Sequence, residues 1–424
     1  MNAKSNCLSI ATLLLSSLCL SAHASDWPQY RGPNHDGTSS EKILKTWPAT
    51  GLREIWKVPM KNGFSSITVG GGEAFTLVSR DVDGAAQEVC VAVDAKTGKE
   101  LWAAPLGIAK YDGGGEAGTP DNGGGDGPRS TPTFDNGKVY TYSARMVLQC
   151  FDATSGKQLW SSDLIKDHAG KNIHWENAAS PLIDGDLVFV AGGGPGEALL
   201  AFDKNDGHIV WKGEDDHITQ STPVVATILS QRQVIFFTQS GLVSVMPKTG
   251  AVLWRYPFKM ARGAAGISPV VSGDVVYYSA SYGVGSTACK ITKTGDTFTA
   301  TELWSSKAID NHWSTPVTAN GYVYGLFGQA RFGKAPLQCV EIASGKVIWS
   351  HDGFGPGGCT LVDGHVLVLS DAGDLVLVKA TPDAYTEVAR SHVLTGKCWN
   401  SVGLSDGHIY ARSTKEGVCL DLTP

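Results

Sequence analysis

Apolar residues in this chain come in short runs, each closed by a polar turn. Ser130-Thr-Pro-Thr-Phe134 leads through Asp135-Asn-Gly137 into Lys138-Val-Tyr-Thr-Tyr142. A second turn leads to Val147-Leu-Gln-Cys-Phe-Asp152, then Ala153-Thr-Ser-Gly156 and Lys157-Gln-Leu-Trp160. The runs are rich in β-branched and aromatic residues, and Asn-Gly and Ser-Gly are turn signals, so the segment predicts four short strands. One such sheet cannot bury both faces alone.

The unit then repeats. Asp94-Ala-Lys-Thr-Gly-Lys-Glu-Leu-Trp102 returns as Asp152-Ala-Thr-Ser-Gly-Lys-Gln-Leu-Trp160 and as Asp203-Lys-Asn-Asp-Gly-His-Ile-Val-Trp211. Looser copies end at Trp254, Trp304 and Trp349, and a fragment begins at Cys419. A period of roughly 40–50 residues marks a propeller or solenoid, and packing the sheets radially leaves only short edges exposed. The units run Phe64–Trp102, Ser130–Trp160, Ala178–Trp211, Gln220–Trp254, Ile267–Trp304 and Trp313–Trp349. A degenerate seventh runs from Cys359 to about His392, with Val388 and Ala389 in place of Leu-Trp. An eighth opens at Trp399 and lacks its outer strand, which Leu52-Arg-Glu-Ile-Trp-Lys-Val58 matches near the other end.

The predicted fold is therefore all-β: an eight-bladed β-propeller of four-stranded antiparallel blades, with an N-terminal strand completing the last blade and closing the ring. Seven blades is the alternative if the degenerate unit is misread. Trp56, Trp102, Trp160, Trp211, Trp254, Trp304 and Trp349 are expected to sit between neighbouring blades.

Composition narrows the setting. A formal net charge of −6 argues against nucleic-acid binding through a basic surface. Lys4, the apolar stretch Leu8–Leu20 and Ala22-His-Ala24 read as a cleavable leader. The division is thus 1–24 leader, 25–51 N-terminal extension and 52–424 propeller. Cys19 follows Leu18, which is a poor lipidation signal. No later stretch is apolar enough to span a membrane. An exported, periplasmic or secreted, monomeric protein is expected. Of nine cysteines, all but Cys7 and Cys19 follow the leader. The repeat register places Cys150, Cys289, Cys339 and Cys419 in one slot shared with Ala92, Ala201 and Ser244, a small buried site. Cys359 and Cys398 are the one pair considered for a disulfide.

The Asp-x-x-Thr/Ser-Gly-Lys-x-Leu-Trp repeat resembles that of the pyrroloquinoline-quinone (PQQ)-like propeller superfamily, over nearly the whole mature chain. Trp27-Pro-Gln-Tyr-Arg-Gly-Pro-Asn-His-Asp-Gly37 also looks like the opening of its exported, propeller-only members. The superfamily holds quinoprotein alcohol dehydrogenases and a non-enzymatic branch, which includes the propeller subunit of the outer-membrane β-barrel assembly machinery. The repeat is specific for fold and not for function. The dehydrogenases hold PQQ on a Trp beside a Ca²⁺ bound by carboxylate and amide oxygens, with an Asp as base. Many add a disulfide between adjacent cysteines. This chain has no adjacent cysteines and no Cys-x-x-Cys-His for a haem.

Polar and aromatic residues precede the inner strands: Arg129, Glu176, Asn177, Gln220, His312, Trp313, Trp399 and Asn400. They are expected around the funnel mouth as a ligand-binding rim. Glu176 and Asn177 offer hard oxygens for Ca²⁺, against a solvated or Arg-paired role. Trp313 or Trp399 would stack on a flat ring, against simple packing. His168 and His174 share a loop that reads as either a weak metal site or a solvated pair. The acidic Gly-rich insert from Tyr111 to Gly127 reads as a loop at the mouth, able to act as a lid. No catalytic residue, metal or cofactor is assigned. The favoured reading is a binding or scaffold module of the cell envelope, for proteins or extended peptides. The alternative is a PQQ- and calcium-dependent alcohol or sugar dehydrogenase.

Overall fold

The computed structural model describes residues 26–111, 127–258, 260, 266–328 and 335–424. The leader and most of the Gly-rich insert lie outside them. Eight antiparallel sheets follow one another along the chain, each with its first strand innermost. Blade one is Thr68–Gly70, Glu73–Val82, Ala85–Asp94 and Glu100–Ile108. Blade eight is Gly403–Ser405, His408–Arg412 and Glu416–Asp421, completed by Arg53–Pro59. The degenerate unit is a full blade, Gly358–Val362, His365–Leu369, Asp374–Lys379 and Glu387–His392. Eight blades are present, joined by the N-terminal strand.

One row of side chains recurs across the second, third and fourth strands. Tyr140 pairs with Cys150, which pairs with Trp160. The same row reads Phe75–Ala92–Trp102, Phe189–Ala201–Trp211, Tyr324–Cys339–Trp349 and Tyr410–Cys419–Trp56. A small central residue leaves room for the rings, whose centroids lie 6.0–6.1 Å apart. Blade five corrects the expected register: Ala288, not Cys289, faces Trp304 and Tyr277. The bulge between Ala288 and Cys289 in the long hairpin of Gly285–Thr294 and Thr297–Ser306 directly follows the residue that faces the Trp, as it does in blades three, four and six. All seven described cysteines are free, buried thiols, so Cys359 and Cys398 form no disulfide. They lie in different core clusters.

Six of the seven docking indoles hydrogen-bond the next blade. Trp56 donates to Ala95 O, Trp102 to Ala153 O, Trp160 to Lys204 O, Trp211 to Pro247 O and Trp304 to Ile342 O. These carbonyls belong to the second residue of the Asp-x-x-x-Gly turn or its equivalent. In three of these turns the Asp side chain caps backbone N–H groups (Asp94, Asp152 and Asp203). The turn glycine lies beneath the ring: Gly207 has φ +75°, and a Cβ there would stand 2.6 Å from Trp160. Trp349 uses Thr381 O instead. Trp254 departs from the pattern, donating to Gln233 Oε1 in its own blade.

Blade seven shows why its terminal Trp is dispensable. Ala389 stands opposite Leu377, so large and small have exchanged places. Blade eight has no hairpin turn after Asp421 for an indole to dock on, because its outer strand is Arg53–Pro59. The carbonyl of Leu422 instead accepts from Leu44 N in the N-terminal segment, while Ile43 and Trp47 pack against the same core cluster.

The N-terminal residues before Arg53 also fill the axis. Trp27 bridges Val69 of blade one, Pro28 O accepts from Phe134 N of blade two, and Gly37 O accepts from Leu361 N of blade seven. Thr38–Ser39 adds a parallel strand to the inner edge of blade seven. The guanidinium of Arg31 donates to His35 O, Asp36 O, Thr315 O and Pro316 O. Residues of four blades, one, two, six and seven, approach this one segment, which places it near the axis.

Two outcomes follow. Gly185→Ala, at φ +61° with open space around it, loses ~1–2 kcal/mol to backbone strain. Gly207→Ala loses a further ~1–3 kcal/mol because the Trp160 ring must move; urea unfolding distinguishes them. Burial pushes buried His35 down to about 4, so the unfolded chain binds the extra proton between pH 6.5 and 4. Stability is full above pH 6.5 and falls by up to about 3 kcal/mol as pH drops to 4. His35→Gln flattens that slope in pH-dependent denaturation.

Candidate functional site

The loops entering the inner strands gather at the end of the ring away from the indole-docking turns. The inner strands of blades two to six open with a Ser/Thr-Pro step, and the structure shows what that step does. Ser66 N donates to Thr131 Oγ1 (3.0 Å), Thr131 N to Ser180 Oγ (2.9 Å), Ser180 N to Thr222 Oγ1 (2.8 Å) and Ser268 N to Thr315 Oγ1 (3.0 Å). Hydroxyls of one blade thus satisfy the inner-strand amides of the preceding one. Proline takes no part as a donor there.

Above this ring lies an arc of aromatic side chains from five blades. His174 packs on Trp175, which stacks on Tyr282 at 5.8 Å. Tyr282 meets His312 edge-on at 5.0 Å, His312 lies 4.3 Å from Trp313, and Trp313 lies 4.6 Å from Trp399. Trp399 stacks on Phe64 at 5.0 Å, with the Lys397 ammonium 4.2 Å from its ring centroid. Its Nε1 donates to Asp371 Oδ1 (2.8 Å). Below the arc, Tyr30 Oη of the axial segment reaches Thr315 Oγ1 at 3.1 Å, two residues along the strand from Trp313. The mouth is therefore lined by an aromatic arc, with the N-terminal segment in contact with blade six beneath it.

The expected rim residues divide into two groups. His312, Trp313 and Trp399 come together in the arc. Asn177 is turned into the protein: its Nδ2 donates to Tyr142 O, Ser143 O and Ala179 O, and its Oδ1 accepts from Ala179 N. Asn400 Nδ2 donates to Arg412 O. Arg129 donates to Trp175 O and lies over the Tyr111 ring, and Gln220 Nε2 donates to Glu176 O. Glu176 is 1% exposed; it pairs with Arg145 at 3.5 Å and accepts from Asn172 Nδ2. Asn177 thus has no free oxygen for a Ca²⁺, and Glu176 already has protein partners. The pair does not fit that ion. His168 bonds Glu197 and Ser162 through its two ring nitrogens, while exposed His174 belongs to the arc, so these two do not form a metal site.

The electrostatics are self-contained. Burial pushes Glu88 up, countered by hydrogen bonds from Ala144 N and Tyr111 Oη and by the charge of Arg129. Burial likewise raises Asp371, opposed by Lys397 and by the Trp399 indole. Burial pushes His312 down to about 4, which keeps it neutral, and its Nδ1 is buried with no hydrogen-bond partner. The sequence did not single out Trp175, Tyr282, Phe64 or Arg412. Arg412 is wholly buried and donates to Thr76 Oγ1, Leu77 O, Lys61 O and Ser413 O, fastening blade eight to blade one. Its burial pushes it down to about 9. Only the strand-two phase of Arg412, inward where neighbouring blades carry apolar or small residues, could have marked it.

Fold and repeat together define a PQQ-like eight-bladed propeller. Residues 85–351 match the family described as outer membrane protein assembly factor BamB, and the chain belongs to that family. The outer membrane protein assembly factor BamB of Moranella endobia is 25% identical over 291 residues, 65% of this chain and 70% of that protein. The same factor of Yersinia pestis is 22% identical over 306 residues, 68% and 74% of the two chains. The solved BamB of Moraxella catarrhalis superposes with a TM-score of 0.60 at 16% identity, covering 88% of this chain and 98% of that one. The quinohemoprotein alcohol dehydrogenase of Comamonas testosteroni superposes with a TM-score of 0.65 at 14% identity, covering 93% and 80%. These structural likenesses show the fold alone. No described helix is long and apolar enough to cross a membrane.

If Asn177 is structural, Asn177→Ala destabilises the protein by about 2–3 kcal/mol because several buried backbone groups lose their partner. Asn177→Asp is worse, since its carboxylate would face three carbonyl oxygens. Both are checked by thermal and chemical unfolding.

Proposed function

We propose that this chain is a binding and scaffold module of the cell envelope, with the aromatic end of the propeller as its working face. The observation that carries this reading is the aromatic arc at the mouth, whose nearest candidate calcium ligands, Glu176 and Asn177, already serve the protein. Membership of the BamB family supports an envelope assembly role, and the leader-like residues 1–24 support export. The hydroxyl ring leaves the inner strand edges occupied at four blade junctions. An extended peptide would therefore add to an outer strand rather than inside the funnel.

The alternative, a PQQ- and calcium-dependent dehydrogenase, is separated by one titration. Addition of PQQ with and without Ca²⁺ is expected to leave the tryptophan fluorescence of the mature chain unchanged at tens of micromolar (roughly −6 kcal/mol of binding free energy). Chemical cross-linking in envelope extracts is expected to recover a discrete, stoichiometric partner. Tight, Ca²⁺-dependent quenching that is lost in Glu176→Ala would replace the scaffold reading with the enzymatic one.

A further inference from the structure

Blade seven is the one blade without a docking tryptophan, and a groove opens beside the residue that replaces it. Its outer strand, Glu387–His392, is the last in its sheet and pairs only with Asp374–Lys379. Alternate residues of an antiparallel edge strand turn their N–H and C=O groups outward. The N-terminal segment passes alongside, and residues 45–51 and 388–392 together wall a groove of about 500 Å³. Ala389 stands where other blades carry the indole, and it lines this groove. The N-terminal wall does not close over the strand. Pro48 O accepts from Gly51 N at 2.9 Å and Leu44 O from Trp47 Nε1 at 3.0 Å, so this wall is folded onto itself. Among the described residues, no backbone hydrogen bond joins 45–51 to the outer strand.

Charge narrows the occupant. Every titratable side chain on the lining is basic: Lys45, Arg390 and His392. Their carboxylate partners lie off the lining. Lys45 pairs with Asp363 at 2.9 Å, Arg390 with Glu387 and Asp374, and His392 with Asp374. Asp363 serves two ammonium groups, since Lys42 reaches its other oxygen at 2.7 Å. Positive charge is therefore in excess at this end of the groove. An ammonium has three donors, and the Lys45 side chain is 44% exposed, so it can take a second carboxylate. Shape points the same way. A six-residue edge, about 20 Å long, suits an extended chain that pairs along it residue by residue.

Resting on the scaffold reading, we propose that this groove takes an extended, acidic segment of a partner protein, added as a strand to the outer edge of blade seven. The backbone of the segment pairs with Glu387–His392, and its carboxylates face Lys45, Arg390 and His392. Residues 45–51 lie on its far side, so the added strand is held from two sides. Other outer strands suit the role less well. Proline interrupts or ends those of blades one, four and eight, at Pro105, Pro257 and Pro59, and removes a donor there. The outer strand of blade seven contains none.

The test is a fluorescence-anisotropy titration of the mature chain with a labelled, end-capped heptapeptide that alternates Glu with Val. Saturable binding below about 1 mM is expected. The same peptide N-methylated at alternate positions does not bind, because it cannot pair with an edge, and a version with Lys in place of Glu binds far more weakly. Lys45→Glu weakens binding of the acidic peptide about threefold to tenfold, since an exposed attraction becomes a repulsion, and added salt weakens it in the parent. Ala49→Trp fills the groove from an exposed turn and abolishes binding; Thr50→Trp serves if that variant fails to fold. No binding of the acidic peptide up to about 1 mM overturns the proposal. So does binding that N-methylation or both filling variants leave unchanged, or equal binding of the Lys peptide. Concentration-dependent dimerisation in sedimentation that Ala49→Trp abolishes overturns it in favour of a second copy of this chain. If no peptide binds while an envelope partner still cross-links through another face, this proposal alone fails; if no partner is recovered at all, the scaffold reading fails with it.

Discussion

Everything in this ring rests on an indole from one blade packed against the turn of the next. The contact joins two requirements that neither blade meets alone. The donor blade must hold a Trp opposite a small residue, as Trp160 stands opposite Cys150. The acceptor blade must offer a carbonyl and a bare glycine, as Lys204 and Gly207 do. A side chain on that glycine would meet the ring, and its positive φ is one that L-residues rarely adopt. The apolar face of each sheet is thus buried by its neighbour, and stability is a property of the closed ring.

The two places where the contact fails show how strongly it is required. Trp254 faces a blade with a long hairpin and no Asp-to-Gly turn, and it turns to Gln233 of its own sheet. Blade seven faces blade eight, whose third strand pairs with a strand from the other end of the chain. There the Trp is replaced by Ala389, its opposite position enlarges to Leu377, and the N-terminal segment satisfies the orphaned carbonyl of Leu422. Two buried arginines complete the closure. Arg31 fastens the axial segment to blade six and Arg412 fastens blade eight to blade one, each through several carbonyl oxygens. A guanidinium suits this work because its donors fan out in a plane and its charge is retained even when burial disfavours it.

The site follows from the same closure. The N-terminal segment occupies one end of the axis, and the loops at the other end bring rings from five blades together. The propeller is shared by assembly factors and by quinone-dependent dehydrogenases, so fold does not decide between them. Side-chain commitment does more. An amide that already bonds four backbone groups is part of the scaffold, whatever its position on a rim.

The repeat by itself determined the strand order, the blade count, six of the seven docking tryptophans and the closing N-terminal strand, because each is a local pattern of apolar periodicity and turn chemistry. It also placed His312, Trp313 and Trp399 at the mouth, since each precedes an inner strand. Only the tertiary structure decided the rest. Which of Ala288 and Cys289 faces Trp304 is set by pairing with the neighbouring strands. Asn177 looks inward or outward according to loops with no repeat signal. Trp175, Tyr282 and Phe64 lie far apart in sequence and meet only because radial packing brings loops from different blades to one axis. The N-terminal segment reaches the axis for the same reason: its partners belong to blades one, two, six and seven, and no local sequence signal places four blades around one segment.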